Sequence, residues 1–290
     1  MGLGPVTNTQ NNSPNFIDSL YDAHKAKNRN FSLCLGTNGG YLTFGGYNVK
    51  KHIKGEPVQT VKFRGSYAVN FGAIGVNKSL PQPNGKGETP YAGLLDSGTT
   101  YTYFTKQIFR QLQSDFGEFC DKPAAGGQPA CGGKPTLENT YCVVYDPNIY
   151  RNLETFYGTF PKFYFNLDNS AEIIWFPKDY LFTNRELSYS KIEFCSSINM
   201  EDQEQTRNQF STFGSLFLRH YDIYFDRKKS EVSFVRSECE DKNLSSYPVI
   251  GIRTLIQKFR VLISAVLGSS DNTFIIGLTM VGLSGLVLSL

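Results

Sequence analysis

A short run of residues able to do acid–base chemistry lies near the middle of the chain. Asp96 directly follows two leucines and precedes Ser97, Gly98, Thr99 and Thr100. Gly98 permits a tight turn that larger side chains resist, and the hydroxyl groups of Ser97 and Thr99 can donate hydrogen bonds to a carboxylate held at that turn. Such a carboxylate can act as a general base on water. A strand that ends in an Asx-type turn gives the same pattern without catalysis, so the flanking sequence has to decide between the two interpretations.

The composition favours a protein with a sizeable core and many strands. Of the 290 residues, 40% are hydrophobic, and 23 are phenylalanine and 17 tyrosine; aromatic residues are enriched in strands. The net charge of +3 gives no indication of a nucleic-acid-binding protein. The sequence has no phosphate-binding glycine loop, and its three histidines lack the spacing of metal ligands. We therefore predict no metal, no cofactor and no nucleic-acid partner.

The cysteines and the glycosylation sequons indicate the secretory pathway. The six cysteines are widely spaced and none forms a C-x-x-C pair, which argues against a zinc ribbon or a thioredoxin-like site and suits disulfides in an oxidising compartment. Sequons predict glycosylation at Asn30, Asn77 and Asn243, and a fourth at Asn11 is weakened by Pro14. No signal peptide is recognisable at the start of the chain, so we expect the true N-terminus to lie upstream.

Short strands are predicted for most of the chain. Two helices are predicted, one that opens at Ser13–Pro14 and runs to about Ala26 and one from Thr105 to Phe116. Residues 120–136 are rich in Gly, Pro and Ala, which predicts a surface loop closed by a local disulfide between Cys120 and Cys131. Many short strands with few helices indicate a mostly β fold. Strands are predicted at 31–35, 41–44, 58–63, 67–76, 92–95, 141–145, 160–167, 172–175, 180–182, 192–196, 210–217, 221–226 and 231–235.

The C-terminal tail differs from the rest of the chain. From Ile252 to Ile263 apolar residues recur at helical spacing opposite Arg and Lys, which predicts a basic amphipathic helix. The 17 residues from Phe274 to Leu290 carry no charge and are at the short limit for a membrane span. We predict a membrane anchor, with a transmembrane helix ahead of a GPI-attachment signal whose small residues would be 268–270. A buried core helix is the remaining alternative.

Several segments together resemble the pepsin-like aspartic proteases. Members of that family carry an apolar-apolar-Asp-Thr/Ser-Gly-Thr motif, which Leu94 to Thr99 match. They also carry a late apolar-Gly segment that leads into a hairpin, matched by residues 212–219 and then 221–234. The helix near Phe16 and the strand after it resemble the end of the family's N-terminal lobe. The resemblance covers most of residues 2–239.

The resemblance implies a fold and a domain organisation. The fold is mostly β and pepsin-like, with a C-terminal lobe, a remnant of the N-terminal lobe and a C-terminal membrane helix. The implied domains are the end of the N-terminal lobe at 1–55, the C-terminal lobe at 56–240, a linker with the basic helix at 241–273 and the membrane anchor at 274–290. Disulfide pairings in membrane-anchored relatives imply Cys34–Cys239 and Cys142–Cys195.

The resemblance also assigns roles to the turn residues. In the family, one aspartate from each lobe shares a single proton, because adjacent carboxylates resist both ionising. The ionised aspartate activates a water that attacks the peptide carbonyl. The implied roles are the second-lobe catalytic aspartate for Asp96, a bond to its carboxylate for Thr99, a grip on the opposite lobe's backbone for Ser97, substrate-cleft contacts for Gly98 and Thr100, and packing beneath the turn for Gly214.

One departure from the family pattern bears on activity. Asp96 lies in the only D-T/S-G of the sequence, and we expect the first-lobe aspartate and the flap tyrosine upstream of Met1. The resemblance therefore implies an aspartic endopeptidase for peptide or protein substrates of which this chain holds one half of the active site and is inactive alone. Ser215, where many relatives have aspartate, is predicted to carry little catalytic weight. The alternatives are an inactive pepsin-like binding module or truncated pseudo-enzyme, and a dimer in which each chain supplies one Asp96. The implied location is membrane-anchored, secretory or endolysosomal, with the lobe on the lumenal or extracellular side.

Overall fold

The computed structural model describes residues 3–4, 15–78, 91–134, 136–139, 141–168, 171–201, 210–240 and 274–278. The chain divides into two compact units. Unit 1 comprises the residues up to Thr60 and those from Arg219 onwards, and unit 2 comprises Val61–Leu218. This division places residues 219–240 with the N-terminal segment, whereas the sequence interpretation assigned them to the C-terminal lobe.

The described elements are short. The helices are α1 (Phe16–Asp22), α2 (Lys106–Cys120), α3 (Leu153–Tyr157) and α4 (Pro177–Tyr180). The strands are β1 (Phe31–Leu35), β2 (Gly40–Phe44), β3 (Gln59–Arg64), β4 (Ala68–Val76), β5 (Tyr91–Leu95), β6 (Thr102–Phe104), β7 (Cys142–Tyr145), β8 (Phe163–Leu167), β9 (Ala171–Trp175), β10 (Leu181–Glu186), β11 (Ile192–Ser196), β12 (Ile198–Met200), β13 (Phe210–Phe213), β14 (Tyr221–Asp226), β15 (Glu231–Arg236) and β16 (Phe274–Leu278).

Unit 1 contains an antiparallel sheet in the order β15–β14–β1–β2–β16. Every residue of β1 and of β2 is buried, which fits their largely apolar sequences. Phe31 of β1 stacks on Phe225 of β14 with ring centroids 4.7 Å apart. The predicted disulfide Cys34–Cys239 is present and joins β1 to the segment after β15.

Helix α1 is shorter than predicted. Asn15 is its N-cap, and the side-chain oxygen of Asn15 accepts a hydrogen bond of 2.9 Å from the N–H of Asp18; the predicted cap at 13–14 lies outside the described residues. The helix ends at Asp22, four residues before the predicted end, because His24 takes a left-handed conformation with φ 56°. The N–H groups of His24 and the next residue donate to carbonyls three and five residues earlier, which closes the helix as a Schellman motif.

The three predicted glycosylation sites differ in accessibility. Asn30 is buried, its side-chain nitrogen donates to the hydroxyl of Tyr224 at 2.7 Å, and its side-chain oxygen accepts from the N–H of Arg227 at 3.1 Å. Asn30 thus ties the start of β1 to β14 and the residue after it, and its glycosylation stays a prediction. Asn77 is exposed, and Asn243 lies outside the described residues.

Unit 2 packs its strands around aromatic side chains. Its main sheet has the order β12–β6–β13–β5–β4, and β4 also pairs with β8, which pairs with β9. In this sheet β13 runs parallel to β5 and β12 runs parallel to β6. Phe213 stacks on Phe217 with ring centroids 4.4 Å apart and lies edge-on to Phe165 at 5.8 Å. The predicted helical face is correct, since α2 buries Ile108, Leu112 and Phe116.

A second sheet of unit 2 has the order β10–β11–β7. Cys142 of β7 and Cys195 of β11 are directly opposite each other and form the predicted disulfide. The third predicted disulfide, Cys120–Cys131, joins the end of α2 to the Gly-rich loop. All three pairings are confirmed, and the mostly β fold is confirmed with them.

The tail differs from the predicted helix where it is described. Residues 274–278 form strand β16, which pairs antiparallel with β2 from Phe274 opposite Phe44 to Leu278 opposite Gly40. No helix among the described residues is both long and apolar enough to cross a bilayer. The predicted basic helix at 252–263 and the rest of the predicted anchor, 279–290, lie outside the described residues.

Candidate active site

Two parallel strands of unit 2 place Asp96. Strand β5 ends at Leu95, which is paired with Phe213 at the end of β13. The N–H of Asp96 donates to the carbonyl of Phe213 at 3.0 Å, so the neighbouring strand holds the first residue of the turn. Because both strands are buried at this end, the backbone on either side of the carboxylate is fixed by the core.

The turn itself holds the carboxylate of Asp96. One carboxylate oxygen accepts from the N–H of Gly98 at 2.9 Å, and the other accepts from the hydroxyl of Thr99 at 2.6 Å. The N–H of Thr99 in turn donates to the Asp96 carbonyl at 3.3 Å, which closes the turn. Hydrogen bonds to an ionised acceptor are short and strong, so the turn selects one orientation of the carboxylate.

Gly214 is the point of closest approach beneath the turn. A Cβ atom at Gly214 would overlap the carbonyl oxygen of Tyr101 and would lie 2.8 Å from the carbonyl oxygen of Thr99. Only glycine fits at this distance, because both neighbours are backbone atoms that cannot rotate away. Close contact allows the N–H of Ser215 to donate to the Thr99 carbonyl at 2.7 Å and that of Leu216 to donate to the Thr100 carbonyl at 3.2 Å.

The exposed side of the turn is open for chemistry. Asp96 and Thr99 are partly buried, whereas Ser97, Gly98 and Thr100 are exposed. A carboxylate has about four lone-pair positions, and the turn uses one on each oxygen. The remaining positions can accept a proton or a hydrogen bond from water, which a general base requires.

Comparison with known families identifies the family to which the chain belongs. Residues 1–237 match the profile of the eukaryotic aspartyl proteases. The chain belongs to this family. It is 25% identical over 219 residues to an aspartyl protease family protein of Arabidopsis thaliana, across 74% of this chain and 41% of the relative. It is 23% identical over 184 residues to Plasmepsin V of Plasmodium falciparum, across 53% of this chain and 28% of the relative. The chain thus spans less than half the length of these relatives.

The structure brings together the residues that the aspartyl protease resemblance assigned to the turn. Asp96, Gly98, Thr99 and Gly214 share one set of contacts, and Thr99 bonds to the carboxylate in the way that the resemblance implied. Ser97 lies exposed at the turn, and its predicted grip on another lobe stays a prediction.

Other carboxylates of the chain are placed differently. Asp222, in β14 of unit 1, has its carboxylate 3.0 Å from the Nε2 atom of His52. Asp226 ends the same strand, and one of its carboxylate oxygens accepts from the N–H of Lys229. Neither lies in a turn like that of Asp96.

Sequence reasoning missed two backbone supports of the turn. The carbonyl of Phe213 and the N–H of Ser215 flank Gly214 and bond to Asp96 and Thr99 respectively. The hydroxyl of Ser215, which is buried, also lies 3.4 Å from the Thr100 carbonyl. Backbone groups carry no residue-type signal, so only the position of Ser215 next to the glycine could have indicated this role.

Proposed function

We propose that this chain supplies Asp96 as the second of two catalytic aspartates in an aspartic-type endopeptidase. The observation that supports this most directly is the carboxylate of Asp96, which Gly98 and Thr99 hold at the end of a buried strand with one side open. Peptides or proteins are the substrates that the family implies. The first aspartate, together with the elements that cover the substrate, is supplied by a segment outside these 290 residues.

The proposed mechanism divides acid and base chemistry between two carboxylates. Two adjacent carboxyl groups share one proton, because like charges at that distance disfavour double ionisation. The ionised group removes a proton from a water as the water attacks the peptide carbonyl, and the protonated group hydrogen-bonds to the carbonyl oxygen. The bonds from Gly98 and Thr99 keep the carboxylate of Asp96 in a fixed orientation for either task.

The proposed location is the lumenal or extracellular side of a secretory or endolysosomal membrane. The three disulfides support an oxidising compartment. The uncharged sequence from Phe274 to Leu290 supports a membrane anchor. Glycosylation is proposed at Asn77, which is exposed, and at Asn243.

Two other functions compete with this proposal. A pepsin-like binding module or pseudo-enzyme would use the same turn without cleaving, and the single D-S-G of the sequence favours it. A dimer in which each chain supplies one Asp96 would be active without any further lobe.

The test is cleavage of a broad peptide library at acid pH. The chain is assayed alone and with a co-expressed N-terminal lobe of a related aspartyl protease, and each form is compared with Asp96→Asn. We expect activity only with the added lobe, and we expect Asp96→Asn to lower kcat/KM by at least about 10²-fold, because that is the lower range for a lost general acid or base.

The control variant is Asp121→Asn, which removes an exposed carboxylate of the same unit and is expected to leave kcat/KM unchanged. Cleavage by the monomeric chain alone that depends on Asp96 would contradict the half-site. Cleavage that appears only as the chain dimerises would favour the dimer, and peptide binding without cleavage in the presence of the added lobe would favour the binding module.

A further inference from the structure

Two segments of unit 1, residues 21–29 and 45–58, have a high net positive charge for their length. Together they contain six Lys or Arg residues and two Asp or Glu residues, a net charge of +4, whereas the whole chain has +3. The side chains of Lys27, Lys50 and Lys54 are exposed. The charge is thus concentrated in 23 residues, and the other 267 are close to neutral.

Hydrogen bonds join the two segments into one surface. The side-chain nitrogen of Asn28 donates to the carbonyl of Gly45 at 3.2 Å, and the N–H of Gly45 donates to the carbonyl of Asn30 at 2.8 Å. The segments therefore meet at Gly45, at the end of β2. We call the surface formed by residues 21–29 and 45–58 the basic face.

The basic face also exposes apolar side chains. Val49 is 61% exposed, Val58 62% and Ile53 41%, and they lie within ten residues of one another. Tyr47 is 48% exposed, and its ring stacks on that of His52 with centroids 5.6 Å apart and planes 6° apart. Exposed apolar side chains that are clustered and surrounded by polar residues mark protein or membrane contacts.

Three lysines of this surface, Lys27, Lys50 and Lys54, are exposed. Asp22 is paired with Arg29 at 2.8 Å, so these two charges offset each other. Among the described residues, no carboxylate forms an ion pair with Lys27, Lys50 or Lys54. These three lysines therefore present positive charge to solvent, although Glu56 in the same segment is also exposed.

We propose that the basic face docks on a membrane surface that contains anionic lipids. Lysines attract anionic headgroups, and valine, isoleucine and tyrosine side chains enter the boundary between headgroups and acyl chains. A nucleic acid would satisfy the charges but would leave Val49, Ile53 and Val58 in water. Strand β16 begins opposite Phe44, beside the basic face, and ends at Leu278 opposite Gly40, at the other end of β2, so the argument for a membrane rests on the charges and the apolar side chains of the face itself. The inference concerns unit 1 and does not depend on catalysis by Asp96.

The test is cosedimentation of the 290-residue chain with lipid vesicles. Leu286→Lys and Leu288→Lys are present in every sample that tests the face, so that the tail does not insert and the contribution of the face can be measured; the chain with the unaltered tail is measured separately. Vesicles of phosphatidylcholine with phosphatidylserine are compared with vesicles of phosphatidylcholine alone. We expect binding to the anionic vesicles only, and weaker binding at high salt because the charges are exposed.

Three variants separate the contributions. Replacing Lys27, Lys50 and Lys54 with glutamine should lower the partition coefficient by about 100-fold, since each lysine near an anionic surface contributes a factor of about five. The separate double variant Val49→Ser, Ile53→Ser, in which all the lysines are kept, should also lower the partition coefficient. The matched control replaces three exposed lysines of unit 2 with glutamine and should bind as before; these are Lys106, Lys122 and Lys178.

Each outcome has a definite meaning. Loss of binding in the face variants but not in the unit 2 control supports the proposal. Equal loss in both lysine sets would show that net charge alone is responsible and would overturn it, as would unchanged binding in the serine variant, which is the result expected for a general polyanion site. If the chain with the unaltered tail fails to sediment more than the tail variant, the anchor is contradicted while the docking face is not.

Discussion

Replacement of Gly214 with alanine should disrupt the turn that holds Asp96. The added Cβ would overlap the Tyr101 carbonyl and crowd the Thr99 carbonyl. Both are backbone groups inside a packed strand end, so the segment after β13 has to move away from the turn. That movement breaks the hydrogen bonds from Ser215 to the Thr99 carbonyl and from Leu216 to the Thr100 carbonyl.

The magnitude follows from these contacts. Overpacking a rigid site costs about 1–3 kcal/mol, and each of the two lost backbone hydrogen bonds adds about 1 kcal/mol. We therefore expect Gly214→Ala to lower the free energy of unfolding of unit 2 by about 3–5 kcal/mol. This loss is a large fraction of the total stability of a typical domain, which is about 5–15 kcal/mol.

The assay is urea unfolding, with hydrogen exchange at the Ser215 amide as a local measurement. Gly72→Ala is the matched control, because Gly72 lies in β4 of the same unit and the nearest atom to its Cβ would be the Asn166 carbonyl oxygen at 4.0 Å. Alanine there should be neutral or slightly stabilising, because glycine inside a strand costs conformational entropy. Equal unfolding free energies for the two variants, with the Ser215 amide still protected, would refute the reasoning from close approach.

Two further predictions concern the stability of the fold. Replacing Cys34 and Cys239, which are 205 residues apart, with alanine should lower the free energy of unfolding by about 5 kcal/mol. The same change at Cys120 and Cys131, which are 11 residues apart, should lower it by about 3 kcal/mol, because the shorter loop restricts the unfolded chain less. Equal losses in urea unfolding would contradict the loop-length argument. Tyr180 is fully buried, and burial raises the pKa of its hydroxyl well above the ordinary value. Its contribution to stability is complete below about pH 10 and is lost as the pH rises beyond that, because only the unfolded state then releases the proton. Tyr180→Phe should therefore flatten the decline of stability above that pH, and an unchanged slope in unfolding measured from neutral to alkaline pH would exclude this role.

The parts of the fold that were predictable have a strong apolar signal. The bounds predicted for β1, β11 and β14 match the structure, because turn residues delimit each of these apolar runs. Strands β6 and β12 have three residues each, too few for any alternation to stand out. Their existence depends on pairing with each other and with β13, which is tertiary information.

The end of β13 shows a different limit of sequence reasoning. A continuous strand was predicted for 210–217, but the strand ends at Phe213, and a turn follows with Leu216 and Phe217 buried in it. Apolar side chains in a buried turn have the same pattern as a buried strand. Gly214 was the one residue that indicated the break. Glycine is required there because it approaches the carbonyl of Tyr101, a residue more than 100 positions away along the chain.

The residues of the candidate site could be predicted from the sequence, but the backbone hydrogen bonds that hold them could not. Family resemblance named Asp96, Thr99 and Gly214, and the structure adds that every hydrogen bond found for the Asp96 carboxylate and N–H comes from unit 2, through Gly98, Thr99 and Phe213. The orientation of the carboxylate is therefore set by the same unit that carries it, before any second aspartate approaches. Groups that are oriented in advance need no rearrangement during reaction. A partner lobe would then have to supply a second carboxylate and cover the substrate, while the shape of this half of the site would already be in place.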